Sequence, residues 1–182
     1  MKFPVIFAAS GIAALSVIAS SVTLADTRAE IDVSVNETLR QFDALNPRHH
    51  RVLHSAAGEL VFPRVTKGGA GIAGEYGEGA LRIDGKIVGY YSVSSASIGL
   101  TLGAAKRSEI IVFTTQDALD AFKASKGWSI GADTGIAMLS KGKGGDYDTE
   151  TLKKPVLGFV FGEKGLIADL SLEGSKISKI EK

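Results

Sequence analysis

The chain contains no cysteine among its 182 residues. This absence excludes disulfides, thiolate zinc sites and a cysteine nucleophile, and it also excludes the lipidated cysteine of a bacterial lipoprotein. The chain also lacks an excess of either charge, because 21 lysines and arginines stand against 20 aspartates and glutamates. A protein without a basic excess gains little from counterion release, so we expect no generic nucleic-acid binding.

The first 25 residues differ in composition from the rest of the chain. Lys2 is followed by an apolar run over residues 3–18, and Thr23 and Ala25 are small residues suited to a signal-peptidase site. The pattern predicts a signal peptide over residues 1–25, cleavage near Ala25, and a periplasmic or secreted mature protein. An uncleaved membrane anchor is the alternative, because the apolar run is slightly long for an export signal.

Residues 26–58 show the periodicity of helices. Apolar residues from Ile31 to Leu45 recur at steps of three or four, which predicts an amphipathic helix over residues 26–45. Asn46 and Pro47 then read as an N-cap and a first-turn proline, and they predict a second helix over residues 47–57. We expect these two helices to form an N-terminal helical segment, residues 26–58.

Residues 59–182 form a glycine-rich region with the pattern of strands, most concentrated over residues 62–102. Predicted strands cover residues 60–65, 70–76, 79–83, 87–102, 108–114, 128–139, 155–161 and 166–172, with one helix over residues 115–122. Pro63 indicates an edge or bulge position, and Asp84-Gly85 indicates a hairpin turn. The polar connection over residues 140–151 has the length of a mobile or functional loop.

These elements predict a fold of the α+β class that is mostly β. We expect N-terminal helices packed on a strongly bent antiparallel sheet or barrel, with residues 26–182 forming one folding unit. In the strand over residues 87–102, the alternation predicts that Ala96 and Ile98 lie on the buried face and that Ser95 and Ser97 lie on the other.

The second predicted helix holds all three histidines. His50 and His54 stand four residues apart, so they share a helix face and have the spacing of metal ligands. No Asp or Glu lies within residues 47–54, and arginines flank the histidines. This composition favours a solvated basic face with Val52 and Leu53 turned inward, and we predict no metal site.

Three familiar motifs match by letter but fail in context. Residues 69–74 match the dinucleotide fingerprint, yet the glycines in residues 75–79 cannot begin the helix that the pyrophosphate needs. Ser129 lies in a G-x-S-x-G match with a predicted helix before it and a strand after it, which reverses the order of a nucleophile elbow. Residues 146–157 depart from a calcium loop at its sixth and twelfth positions, which leaves only a weak cation site as an alternative to a solvated loop.

No pairing of nucleophile with base, metal cluster or cofactor loop remains after these exclusions. We therefore predict a protein that is not an enzyme and that holds no cofactor. An enzyme acting on lipid or cell-wall material stays open as a third class, because isolated carboxylates such as Glu75, Glu78 and Asp169 could act in a pocket that raises their pKa.

Ordered blocks of sequence along the mature chain resemble the SYLF domain. The blocks are LVFP at residues 60–63, GIAGEYGEG at 71–79, GYYS at 89–92, SIGL at 97–100, FKASKGW at 122–128, PVLGFVF at 155–161, KGL at 164–166 and LSLEG at 170–174. The resemblance implies a bacterial exported member of a lipid-binding family. Eukaryotic members bind phosphoinositides, partly through a basic N-terminal helix, and fungal members also bind actin.

The resemblance implies a non-enzymatic domain that binds phospholipid in the cell envelope, through an anionic headgroup or an acyl chain. Actin is not an expected partner of an exported protein, and the helix over residues 26–45 lacks the basic excess of the eukaryotic members. Six basic residues are the candidates for phosphate contact: Arg48, Arg51, Arg64, Lys67, Arg82 and Lys86.

The alternative is a cell-envelope protein–protein interaction module. In that reading the connection over residues 140–151 faces a protein partner, or four aromatic residues do so. These aromatic residues are Tyr90, Tyr91, Phe159 and Phe161. A place in the hydrophobic core is the competing interpretation for all four.

Overall fold

A computed structural model of the chain describes residues 26–68, 72–98, 105–131, 136–139, 149–162, 165–166, 172 and 174–182. The fold is α+β and mostly β, with a strongly curled sheet. The described helices are α1 (Arg28–Leu45), α2 (Pro47–His54), α3 (Gln116–Ala124) and α4 (Thr149–Leu152). The described strands are β1 (Gly58–Gly68), β2 (Ile72–Ile83), β3 (Lys86–Ile98), β4 (Ala105–Phe113), β5 (Trp128–Ser129), β6 (Ala137–Leu139), β7 (Val156–Gly162), β8 (Gly165–Leu166) and β9 (Lys176–Ile180).

Some predictions fall outside the described residues. They are the signal peptide over residues 1–25, most of the loop over residues 140–151 with its calcium-like segment, and most of the strand over residues 166–172. Among the described residues, no helix is both long enough and apolar enough to cross a membrane.

The first helix begins at a capping box. The Thr27 hydroxyl accepts from the Glu30 backbone N–H at 3.3 Å, and the Thr27 backbone N–H donates to the Glu30 carboxylate at 2.7 Å. The apolar stripe of α1, which includes Val35 and Phe42, is fully buried against the sheet. The predicted helix over residues 26–45 is confirmed, with its start at Arg28.

The second helix begins as the sequence predicts and ends earlier. Asn46 is its N-cap and accepts from the Arg48 backbone N–H at 2.9 Å, and Pro47 occupies the first turn. The helix ends at His54 because the Ser55 hydroxyl donates to the Arg51 carbonyl and closes the last turn. The prediction that the helix extends to residue 57 is therefore wrong by three residues.

Nine strands of the described chain form one sheet in the order β5-β9-β3-β2-β1-β4-β7-β6, with β8 paired to β7. Neighbouring strands are antiparallel except β6, which runs parallel to β7. The β2–β3 hairpin turns at Asp84 and Gly85, which have φ angles of 50° and 75°. These two left-handed residues confirm the predicted turn.

The sheet curls until strands from distant positions face one another. Trp128 of β5 and Phe113 of β4 are five strand spacings apart in the sheet order, which is roughly 24 Å in a flat sheet. Their ring centroids are nevertheless 5.9 Å apart. The face that they share is therefore the concave one, and it is filled by a core to which α3 contributes Leu119 and Phe122. Helices α1 and α2 cover the opposite, convex face.

The prediction of one strand over residues 128–139 is wrong. Its two ends form β5 and β6, which lie at opposite edges of the sheet. Gly131 separates them with a φ of 96°, a conformation that ends a strand. The sequence also predicts two strands where the structure has the single continuous strand β2, and it misses β9, which lies between the edge strand β5 and β3.

The predicted faces of β3 are also reversed. Tyr91 and Val93 point into the concave core, which places Ser95 on the same face and leaves Ala96 exposed. On this inner face the Ser95 hydroxyl is satisfied, because it donates to the Glu75 carboxylate at 2.9 Å. The inner face of β3 therefore changes from apolar to polar along the strand.

Candidate functional site: a cationic groove beside the second helix

A groove of about 600 Å³ lies between α2, the start of α3, α4 and β7. Its lining combines three cations (Arg48, Arg51, Lys153), three hydroxyl residues (Ser55, Thr114, Thr115) and three apolar residues (Val52, Leu152, Leu157). No carboxylate is among these described lining residues. We call this site the arginine groove.

Helix α2 holds the two arginines side by side. Arg48 and Arg51 are three residues apart, so they project from neighbouring positions on one face of the helix. Val52 fixes that face because it is buried in the convex core. The cap at Asn46 sets the start of the helix and thereby the position of its first arginine.

Two cations of the arginine groove, Arg51 and Lys153, have little local neutralisation by the described residues. Lys153 Nζ lies 2.7 Å from Glu150 Oε1, but both side chains are mostly exposed, so the pair is weak. Arg51 makes no ion pair with any described residue. The Ser55 and Thr114 hydroxyls donate to backbone carbonyls, which leaves the cations as the groove's main donors. A ligand that fits carries an anionic, oxygen-rich group next to an apolar one.

The structure places the other four predicted phosphate contacts elsewhere. Arg82 lies across α2 in a different groove of about 570 Å³, where its Nε is 3.4 Å from the Glu59 carboxylate. Arg64 is exposed near the far end of β1 and lines a third groove of about 510 Å³ with Lys106. Lys86 is exposed at the start of β3.

Lys67 lies on the concave face, 3.5 Å from Glu75 Oε1. Only Arg48 and Arg51 of the six therefore share a groove. Lys153, their neighbour in that groove, was not among the predicted phosphate contacts, because it lies in the connection before Pro155. The adjacent lysines 153 and 154 are the one sequence feature that indicates a basic surface there.

An ionic cluster continues the concave face beyond the apolar core. Arg107 Nη2 lies 2.6 Å from Glu75 Oε2 and 2.8 Å from Glu109 Oε1. Its hydrogen bond lowers the pKa of Glu75, while burial raises the pKa of Glu109 to about 7. Glu109 is 1% exposed, and its Oε2 atom is buried without a hydrogen-bond partner among the described residues. A raised carboxyl pKa is one requirement of the enzyme alternative, but substrate has no access to this carboxyl in the described structure.

The histidines do not form a single solvated face. His49 is fully buried, stacks on Phe42 at 3.8 Å between ring centroids, and contacts the Phe42 carbonyl oxygen through Nδ1 at 2.5 Å. The sequence prediction is wrong for this histidine because helix α2 turns it under α1. His50 and His54 are exposed, with ring centroids 5.1 Å apart. The described residues contain no group of three or more acidic or histidine side chains that could hold a metal.

Three of the four aromatic residues considered for a protein interface are buried. Phe159 is fully buried, Phe161 is 3% exposed and Tyr91 is 9% exposed. Tyr90 is partly buried, and its hydroxyl donates to the Asp32 carboxylate at 2.9 Å. These residues therefore pack within the protein, which confirms the core interpretation for Tyr91, Phe159 and Phe161 and contradicts the alternative that they face a partner.

Comparison with known families finds a match to the C-terminal part of the chain. A family model described as "Ysc84: Las17-binding protein actin regulator" matches residues 94–182. The match includes the part of the arginine groove formed by Thr114, Thr115 and Lys153, while Arg48 and Arg51 precede it. No curated protein matches the chain.

Proposed function

We propose that this protein is a non-enzymatic domain that binds anionic phospholipid in the cell envelope. Residues 94–182 match the model of the Ysc84 (SYLF) family, whose domains bind lipids and actin. The arginine groove is the binding site in this proposal. The observation that carries it is the combination, in one groove, of three cations, no described carboxylate and an apolar floor.

The groove matches the two parts of a phospholipid. Arg48, Arg51 and Lys153 offer N–H donors to phosphate oxygens, and the two arginines can each bind bidentately. Val52 and Leu157 offer apolar contact to the start of an acyl chain. Each basic residue near an anionic surface contributes roughly 1 kcal/mol, so three give roughly 3 kcal/mol of preference for anionic over neutral lipid. Salt should weaken this preference because Arg51 and Lys153 are exposed.

Vesicle sedimentation tests the proposal. We expect the purified protein to bind phosphatidylglycerol vesicles in preference to phosphatidylcholine vesicles, and to lose this preference at high salt. Arg51→Gln should reduce binding about fivefold, since it removes from the groove a cation that has no ion pair with any described residue. Arg40→Gln is the matched control, because Arg40 is exposed on α1 outside the groove. Equal binding to both vesicle types at low salt would refute the proposal.

The envelope location is part of the proposal and rests on the signal-like pattern of residues 1–25. The family description names Las17 binding and actin regulation, and an exported protein would meet neither partner in its own compartment. Cell fractionation, with mass spectrometry of the N-terminus, checks the location. Recovery of an unprocessed protein in the cytosol would remove the envelope from the proposal and restore actin as a candidate partner.

A further inference from the structure

A second cationic groove, of about 340 Å³, lies between the end of α3 and β9. Its described cations are Lys123, Lys126 and Lys179, its hydroxyl residues include Ser125 and Ser178, and its apolar floor is formed by Tyr91, Phe122 and Ile177. No carboxylate is among the described residues that line it. We call this site the lysine groove.

The fold brings the three lysines together from distant parts of the sequence. Lys123 lies in the last turn of α3, which Phe122 anchors in the concave core, and Lys126 follows the end of that helix. Lys179 arrives on β9, where it pairs with Tyr91 of β3. No local sequence pattern predicts that these lysines lie together, because β9 reaches the site only through its position in the sheet.

Donors in the lysine groove outnumber the acceptors available to them. Lys126 and Lys179 make no ion pair with any described residue, and Lys123 has only an exposed contact with Asp120 at 3.8 Å. The Tyr91 hydroxyl has no hydrogen-bond partner among the described residues. Burial raises the pKa of Tyr91, so this hydroxyl stays protonated and remains a donor at neutral pH. Such a site favours an anion with several oxygen acceptors, such as a phosphate group.

Helix α3 connects the two cationic grooves. Thr115, its N-cap, lines the arginine groove, and Phe122 and Lys123 near its end line the lysine groove. A helix of nine residues is about 13.5 Å long, so the grooves are about one short helix apart. Asp117 and Asp120 are exposed on α3 between them, which divides the basic surface into two separate sites.

We propose that the lysine groove is a second site for an anionic phospholipid headgroup, so that the protein engages two headgroups of one bilayer through the two ends of α3. This inference rests on the proposed function of the arginine groove. Once the first headgroup is bound, binding of the second is intramolecular and strengthens the association without a further loss of translational freedom. Binding should therefore rise more steeply than linearly with the fraction of anionic lipid.

The test compares variants on vesicles with rising fractions of phosphatidylglycerol in phosphatidylcholine. Lys126→Gln/Lys179→Gln should weaken binding at least tenfold, at about fivefold for each lysine, and should make the dependence on phosphatidylglycerol close to linear. The control Arg40→Gln/Lys106→Gln removes the same charge from exposed positions outside both grooves and should change binding less than twofold. Thermal unfolding of each variant establishes that the fold is retained.

The possible results separate the two proposals. If the double lysine variant binds like the control while Arg51→Gln loses affinity, the lysine groove is not a headgroup site and the arginine groove stands. If the wild-type protein shows no preference for phosphatidylglycerol, both proposals fail. If soluble glycerol phosphate shifts the NMR signals of Lys126 and Lys179 but vesicle binding does not depend on them, the groove takes a soluble phosphate and the membrane role is overturned.

Discussion

Gly79 of β2 lies so close to Val61 of β1 that a β-carbon at Gly79 would overlap the Val61 carbonyl oxygen. Two residues earlier in β2, a β-carbon at Gly77 would lie 2.7 Å from the Arg64 carbonyl oxygen. Between these contacts β1 bulges at Pro63, and its pairing with β2 shifts between Val61 and Arg64. The two glycines therefore make room for the bulge that helps the sheet to bend.

The first prediction concerns these close contacts. Gly79→Ala should lower the free energy of unfolding by about 2 kcal/mol or more, because the backbone of β1 must move away from the added methyl group. Gly74→Ala is the matched control in the same strand, since a β-carbon there meets nothing within 4 Å. It should change stability by less than about 0.5 kcal/mol. Urea unfolding measures both, and similar losses in the two variants would contradict the packing role of Gly79.

The sequence could predict the bulge but not which glycines it requires. Pro63 in a run of strand residues indicates a bulge or edge, and the structure confirms a bulge. Gly74 and Gly79 look alike in the sequence, yet only Gly79 faces the displaced carbonyl. The difference depends on cross-strand register, which a local pattern does not contain.

For the candidate sites too, a local sequence pattern does not contain the contacts between distant elements. The spacing of Arg48 and Arg51 on a predicted helix was enough to bring them together, whereas Lys153 joins them only through the packing of α4. β9 was missed because Ile177 is the only one of its five residues that is fully buried, so the strand shows no alternation. Lys179, which β9 carries into the lysine groove, was missed with it.

The second prediction concerns Glu109 and the pH dependence of stability. Burial raises its pKa to about 7 in the folded protein, against about 4.3 in an unfolded chain. Between these two pKa values the folded state binds more protons at Glu109 than the unfolded state does. The free energy of unfolding therefore falls as the pH rises through 7. Between pH 6 and pH 8 the wild-type protein should lose about 1.4 kcal/mol through this group. Glu109→Gln should remove that loss, as measured by urea unfolding at both values.

The two ionised groups beside Glu109 keep their charges between pH 6 and pH 8. The hydrogen bond from Arg107 lowers the pKa of Glu75, and, although burial opposes it, the hydrogen bond to Glu75 raises the pKa of Arg107. Glu150→Gln is the control for Glu109→Gln, because Glu150 is exposed and should leave the pH profile unchanged. If the profile of Glu109→Gln matches that of the wild-type protein, Glu109 titrates near its ordinary value and the prediction is wrong.

The third prediction concerns His49, whose titration lowers stability as the pH falls, whereas that of Glu109 lowers stability as the pH rises. Burial lowers its pKa, although the Phe42 carbonyl and Asp43 oppose the shift. The unfolded chain takes up the proton first, so the stability contributed by neutral His49 is present above pH 6.5 and is lost as the pH falls below it. His49→Gln should cost about 1–3 kcal/mol at pH 8, and this difference from the wild-type protein should shrink by pH 5. His54→Gln, at an exposed position, should show neither effect. A difference that is constant with pH would contradict the prediction.

The fourth prediction links the cap of α2 to lipid binding. Asn46→Ala removes the side chain that accepts from the Arg48 backbone N–H, and it should lower stability by about 1 kcal/mol. Because α2 holds Arg48 and Arg51 in the arginine groove, fraying of its first turn should also weaken binding to phosphatidylglycerol vesicles, by less than the fivefold loss expected for Arg51→Gln.

Asn46→Asp keeps a capping oxygen and should restore both stability and binding to near the wild-type level. Asn46 then acts as a positioning residue, since it touches no phosphate itself. If Asn46→Ala lowers the thermal midpoint but leaves vesicle binding intact, the start of α2 does not position the groove's arginines, and the phosphate contacts must come from Lys153 or from other cations.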